Sequence, residues 1–178
     1  ISLSSKLWVA ADGKASLFRP TPLVSNKRIN IKAVVPQLAP LLNASTSTYS
    51  LFSSTGLACF LGPAGPGWTY WAISIPVASE QEEQTYFAFD QESLKAHLLS
   101  SLSSSSLPAE RQVYISLIQA TAASSILVQA SSQAALPPRF FDQNRVLVGD
   151  AAHAMNASYG QAVSFSLEDA ATLAHCLK

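Results

Sequence analysis

The feature that most constrains this chain lies near its end. Arg145-Val146-Leu147-Val148 is a near-continuous apolar and β-branched run that stops at Gly149-Asp150 and leads into the small residues Ala151-Ala152. Such a run is predicted to be a strand covered on both faces, because a strand with one wet face alternates apolar with polar side chains. A strand that ends in Gly-Asp and feeds a helix points to an α/β fold and puts a carboxylate at the carboxyl edge of a sheet, where open α/β sheets take up nucleotides. Gly160-Gln161 then opens a stretch in which Val163, Leu167, Ala170, Ala171, Ala174 and Leu177 recur at helical spacing. The free N–H groups at such a helix start favour an anion, and a glycine there lets a pyrophosphate come close. A plainer reading accounts for the same spacing: Gly149 makes a tight turn and Asp150 caps the helix after it.

The rest of the chain is read by pattern. Lys6-Leu7-Trp8-Val9-Ala10 is predicted to be a short buried strand that stops at Asp12-Gly13. Ile29, Ile31, Ala33 and Val35 alternate with Asn30, Lys32 and Val34, a period-two strand that Pro36 closes. Two aromatic-rich runs, Tyr49 to Leu61 and Trp68 to Pro76, flank the turn-forming segment 62–67 and are predicted to form an antiparallel hairpin. Tyr49, Phe52, Phe60, Tyr70, Trp71 and Ile73 are candidates for this sheet, most of them as core. Asp90 is an N-cap for a helix carrying Leu94, Leu98 and Leu102, ended by the serines 103–106. A second helix starts near Pro108 with Val113, Leu117 and Ile118 inward, and a strand runs from Ser125 to Ala130 before the corner Leu136-Pro137-Pro138.

Composition excludes several functions. Lys plus Arg equals Asp plus Glu at 11 each, and charged residues are 12% of the chain, so no basic field attracts nucleic acid or an anionic membrane. A small molecule is the expected partner. Cys59 and Cys176 lie far apart in apolar surroundings and are read as buried free thiols of a reducing compartment, with neither disulfide nor metal site. No apolar run approaches the roughly 20 residues of a membrane span, so the expected location is the cytoplasm. No Gly-x-Ser-x-Gly elbow occurs, which removes a serine hydrolase.

The two ends together carry a resemblance. Arg145 to Leu173, RVLVGDAAHAMNASYGQAVSFSLEDAATL, resembles the flavin-binding motif of the class A FAD-dependent aromatic monooxygenases, the para-hydroxybenzoate hydroxylase type. That motif is a hydrophobic strand, Gly-Asp-Ala-Ala-His, a Pro-containing turn, Gly-Gln-Gly and Glu-Asp-Ala. Ala11-Asp12-Gly13-Lys14-Ala15-Ser16-Leu17-Phe18-Arg19 resembles the family's second motif, Ala-Asp-Gly-x-x-Ser-x-x-Arg, which serves both FAD and NAD(P)H. The resemblance implies an α/β fold: part of an FAD-binding Rossmann-like domain in residues 1–22 and 136–178, and an antiparallel-sheet substrate domain in 23–135. Asp150 would then bind the FAD ribityl chain, with Gly149 beside it among the cofactor-binding residues, Gly160 and Gln161 would lie along the pyrophosphate and ring edge, and Asp12 and Gly13 would support the cofactor from the other side. Arg19 would face the phosphates of the NAD(P)H reductant. His153 is read as a structural hydrogen bond. No catalytic side chain is implied, since the reactive oxygen of this chemistry belongs to a flavin hydroperoxide and the protein orients the aromatic substrate and excludes water.

Departures qualify the match. Ala10 stands where the family usually has glycine, Ala157 where it has the turn proline, and Ala162 where it has the second glycine of Gly-Gln-Gly. The 178 residues hold no Gly-x-Gly-x-x-Gly after a strand, the element that cradles the ADP half. The expectation is a C-terminal portion of an FAD- and NAD(P)H-dependent monooxygenase that needs the missing N-terminal segment of its own parent chain, inactive alone. The alternatives are a non-catalytic remnant of such a flavoprotein, and a flavin-dependent halogenase or reductase of the same fold.

Overall fold

The computed structural model describes residues 6–36, 49–105, 107, 110–156 and 160–178. Pro108 and Ala157, named above, lie outside the described residues. The chain divides into two compact units, one of residues 1–26 with 131–178 and one of residues 27–130.

The second unit is built on a five-stranded antiparallel sheet, β3(Tyr49–Phe52), β4(Ala58–Pro63), β5(Trp68–Pro76), β2(Leu23–Pro36) and β6(Leu127–Ala134), in that spatial order. β2 and β6 are the strands that carry the chain from one unit into the other. Alternation along β2 decides its faces: Ile29 and Ile31 are fully buried and Ala33 and Val35 nearly so, while Val34 is 44% exposed. The expected hairpin exists as β4 with β5, Phe60 opposite Ala72 and Leu61 opposite Trp71. The first aromatic run is two strands rather than one, because Gly56 at φ +83° makes a turn between β3 and β4. The strand expected at Ser125 starts at Leu127, since Ala123–Ser125 form a 3₁₀ turn.

Three helices cover one face of this sheet's core. Asp90 caps α2(Gln91–Ser104), its carboxylate accepting from the N–H groups of Glu92 and Ser93 at 3.1 and 2.9 Å. Leu94, Leu98 and Leu102 lie along one side of that helix and are buried. In α3(Arg111–Ala120), Tyr114, Ile115, Leu117 and Ile118 are buried. No apolar period marks α1(Glu80–Ala88), a helix of polar sequence that buries only Tyr86. Its start is set locally, by the N–H of Glu82 donating to the Ser79 hydroxyl at 3.1 Å. Leucines of α2 and α3 close the core with Ile29, Ile31, Trp71 and Ile73. The buried indole N–H of Trp71 donates to the Thr121 hydroxyl at 2.9 Å, and that hydroxyl donates to the Leu117 carbonyl at 2.7 Å, so neither polar group is orphaned.

The first unit holds a three-stranded sheet, β1(Trp8–Ala10), β8(Arg145–Leu147) and β7(Phe141–Asp142), with β8 in the middle. β1 and β8 are parallel, Val9 opposite Val146. Both were expected to be buried. Instead Trp8 is 39% and Val9 48% exposed, and only Ala10, Leu147 and Ala152 form a small buried cluster. After β8 come α4(Asp150–His153) and α5(Ala162–Cys176). The apolar spacing of α5 was read as an inward face, yet none of its residues is buried, with Val163 at 73% and Leu167 at 67% exposed. Spacing creates an apolar stripe, but among the described residues nothing buries it.

Candidate functional site

The parallel pairing of β1 with β8 sets the site. The register continues one residue beyond β8, the N–H of Val148 donating to the Ala10 carbonyl at 3.0 Å. The residues that follow each strand, 11–13 and 148–150, therefore leave the sheet at the same carboxyl edge. Asp12 and Asp150 belong to one edge, as a shared nucleotide would require.

Gly149 turns the chain there with φ +60°, ψ −141°, a conformation that L side chains rarely adopt. A Cβ at this position would stand 2.8 Å from the Ser166 hydroxyl of α5, so a side chain here would have to displace that hydroxyl as well as adopt a strained dihedral angle. The turn is then tied down by one carboxylate: Asp169 Oδ2 accepts from the Gly149 N–H at 2.6 Å and contacts His153 Nε2 at 2.7 Å. His153 makes the structural contact expected of it, with the rings of Phe140 and Phe165 edge-on to its imidazole. Asp169 stood in the quoted Glu-Asp-Ala segment without a role. Its position on α5, 20 residues beyond Gly149, gave no local signal of the partners it meets.

The loop after β1 is held by its own hydrogen bonds. The N–H of Ser16 donates to the Gly13 carbonyl at 3.0 Å, and a hydrogen bond from the Ser16 side chain holds the Asp12 carboxyl below its ordinary range. Gly13 has φ +81° and open space where a side chain would stand. Arg19 was expected to face the phosphates of a reductant. Its guanidinium donates instead to three backbone carbonyls, those of Thr21 at 3.2 Å, Asp150 at 3.0 Å and Lys14. These contacts commit most of its donors and fasten the Asp12-Gly13 loop to the start of α4.

Between these parts lies a cleft of about 510 Å³. Ala11 and Gly13 line one side, Val148, Gly149 and Asp150 the sheet edge, and Ala162, Ser166 and Leu167 of α5 the other side. Gly160 and Gln161 directly precede α5, and the Gln161 side chain does not cap the first N–H groups of that helix. The cleft thus combines a mostly apolar wall with one carboxylate able to accept hydrogen bonds from hydroxyls, and its lining includes Ala162, the first residue of α5, which follows closely on a glycine at φ +64°. Those donors and spaces suit part of a dinucleotide: a polyol near Asp150, an anion near Gly160 and Gln161. Among the described residues no group of three or more His, Cys, Asp or Glu could hold a metal ion, and no helix is long and apolar enough to cross a membrane. Both cysteines are free; Cys59 is buried, whereas Cys176, expected buried, is exposed at the end of α5.

No family model matches the chain, and no curated protein matches it. Solved structures do. HpxO of Klebsiella pneumoniae, crystallised with FAD and uric acid, superposes with a TM-score of 0.73 at 23% identity over 92% of this chain and 40% of its own. PqsL of Pseudomonas aeruginosa, described as an FAD-dependent monooxygenase, gives 0.70 at 22% identity over 97% of this chain and 45% of its own. An FAD-containing monooxygenase from Photorhabdus luminescens gives 0.69 at 16% identity. The chain has the mixed α/β fold found in these flavin monooxygenases, and it spans less than half the length of each.

Proposed function

We propose that this chain is part of an FAD- and NAD(P)H-dependent monooxygenase, a cytoplasmic flavoprotein hydroxylating a small aromatic substrate. The observation that carries the reading is the parallel β1–β8 pair, which brings Asp12-Gly13 and Gly149-Asp150 to one sheet edge over one cleft. In this reading residues 1–22 and 136–178 belong to the FAD-binding half and residues 23–135 form the substrate half. Asp150 accepts from the ribityl hydroxyls. Gly160, Gln161 and the first N–H groups of α5 lie along the pyrophosphate and ring edge, and Gly13 leaves room for the cofactor's other side. Gly149 and Asp12 shape the edge rather than reach out from it, since the first is bound to Asp169 and the second to Ser16. Arg19 holds the two loops in register. FAD, when bound and reduced, supplies the activation of dioxygen.

The sheet of the second unit offers a surface for an aromatic ring. On the face opposite its core, Phe52 is 66% and Tyr70 36% exposed, and Phe52 meets Phe60 edge-to-face at 5.8 Å. The small residues Ala58, Ala72 and Ser74 sit between them in the cross-strand register. Contrary to the expectation that most of the aromatics are core, only Trp71 and Ile73 of those whose side chains are described are buried. HpxO and PqsL were crystallised with uric acid and 2-aminobenzoylacetate, small molecules that each carry a flat ring in keeping with such a surface. The uncovered Trp8, Val9 and α5 stripe are the places where the Gly-x-Gly-x-x-Gly segment of a longer parent chain would pack.

One observation favours the alternative of a non-catalytic remnant. Ala162, at the second-glycine position, lines the cleft, so its methyl stands where a close cofactor approach is needed. Ala10 carries no such weight, being packed with Leu147 and Ala152. The test is the visible spectrum after FAD incubation and gel filtration. The 178-residue chain is expected to emerge colourless and not to oxidise NAD(P)H, because two or three lost charge-assisted hydrogen bonds at about 1.5–3 kcal/mol each weaken binding by several powers of ten. A version extended upstream through the glycine loop is expected to be yellow. A colourless extended chain favours the remnant, and one equivalent of flavin on the short chain refutes the need for the missing segment.

A further inference from the structure

A second cleft of the first unit, of about 370 Å³, lies apart from the sheet edge. Phe18 and Pro20, the neighbours of Arg19, form one side, and Arg139, Phe141, Asp142 and Arg145 form much of the rest. Its charge is uneven. Arg145 pairs with Asp142 at 2.8 Å and lies 5.9 Å from the centroid of the Phe18 ring. Arg139 has no hydrogen-bond or ion-pair partner among the described residues, and is exposed. Two guanidinium groups therefore face one carboxylate, in a chain whose Lys plus Arg and Asp plus Glu balance at 11 each. The rings beside them are uncovered, Phe18 at 49% and Phe141 at 62%.

Guanidinium groups that keep free donors suit phosphate oxygens, because the planar fork meets two of them at once. An exposed phenyl ring suits the face of a purine. Arg19, the residue whose family motif points to the reductant, is held by three backbone carbonyls and has little left to offer a phosphate. We propose that the reducing dinucleotide docks in this second cleft, with its phosphates on Arg139 and Arg145 and its adenine against Phe141. The inference rests on the monooxygenase reading and assigns the reductant a place separate from the Asp150 cleft. Arg145 reaches the cleft from the first residue of β8, so the segment from Arg145 to Asp150 would be bordered by the two nucleotides at its opposite ends.

Calorimetric titration of the 178-residue chain with NADPH, ADP and inorganic pyrophosphate tests this. Arg139→Glu is expected to weaken NADPH at least about tenfold, the loss of one charge-assisted contact and the gain of a repulsion. Its far-UV circular dichroism should not change, since Arg139 bonds to nothing described. Phe141→Leu is expected to weaken ADP and NADPH and leave pyrophosphate unchanged, as only the first two carry a base. NADPH affinity within about twofold of wild type in Arg139→Glu, or no NADPH binding by the wild-type chain at millimolar concentration, overturns the proposal. The monooxygenase reading fails separately, through the absence of a flavin spectrum in the upstream-extended chain.

Discussion

At the scale of single residues, the turn at the sheet edge depends on a glycine held in a conformation that L side chains rarely adopt. Gly149 combines a positive φ with a Ser166 hydroxyl 2.8 Å from where a Cβ would stand. Gly149→Ala is expected to destabilise the chain by about 1–3 kcal/mol, read as a lower urea midpoint. Adding Ser166→Ala should return only part of the loss, because it removes the contact and leaves the dihedral strain. Full recovery in the double variant would mean that space alone, and not conformation, selects glycine here. Cys59 makes a different demand: burial pushes its thiol from 9.0 up to about 12. A pKa raised on folding means that the folded chain holds the proton more tightly. Its stabilising contribution is complete below pH 9.0 and is lost as pH rises towards about 12. Stability measured against pH should fall across that window, and Cys59→Ala should have a shallower fall. Parallel curves for the two proteins would rule out the thiol as the source.

Elements differ in what forms them. α2 is set by an N-cap and three leucines four residues apart, signals that are local and that burial reinforces. Asp90→Ala removes the acceptor for the Glu92 and Ser93 N–H groups and is expected to cost about 1 kcal/mol of stability in urea unfolding. No measurable change would show that the leucine contacts alone hold the helix start. α1 stands at the other extreme, a helix with no apolar period, capped by Ser79 and anchored by Tyr86. Strands β1 and β8 are of three residues each and rest on one another, a pairing between residues well over a hundred positions apart in the chain.

Across the whole molecule, burial is unevenly divided. The second unit contains the large cluster from Ile29 to Ile126, and the first contains a cluster of Ala10, Leu147 and Ala152. A helix without a buried face draws little stability from tertiary contact. Backbone amides of α5 are therefore expected to exchange with deuterium faster than those of α2 and α3 in the 178-residue chain. Equal protection would mean that α5 is held by contacts its exposure does not reveal. In an upstream-extended chain the protection of α5 should rise, if the glycine-loop segment covers its Val163 and Leu167.

What the amino-acid sequence by itself determined is whatever depends on neighbours along the chain. The alternation of β2, the Asp90 cap and the leucine spacing of α2 were legible, because each is enforced within a few residues; the turn before β5 and the strand before Gly149 were legible with shifted ends, β4 running on through Pro63 and β8 stopping at Leu147. The two motif segments were legible too, and so was the sheet edge that Gly149 and Asp150 occupy. Only the tertiary structure decided which apolar stripes are covered, since periodicity measures amphipathicity and not the presence of a partner: β1 and α5 are exposed although their patterns match those of buried elements. Tertiary structure also decided where long side chains turn. Arg19 bonds to the carbonyl of Asp150 and Asp169 to the amide of Gly149, contacts between distant residues that no local rule anticipates, because the hydrogen-bond partner nearest in space is remote in sequence.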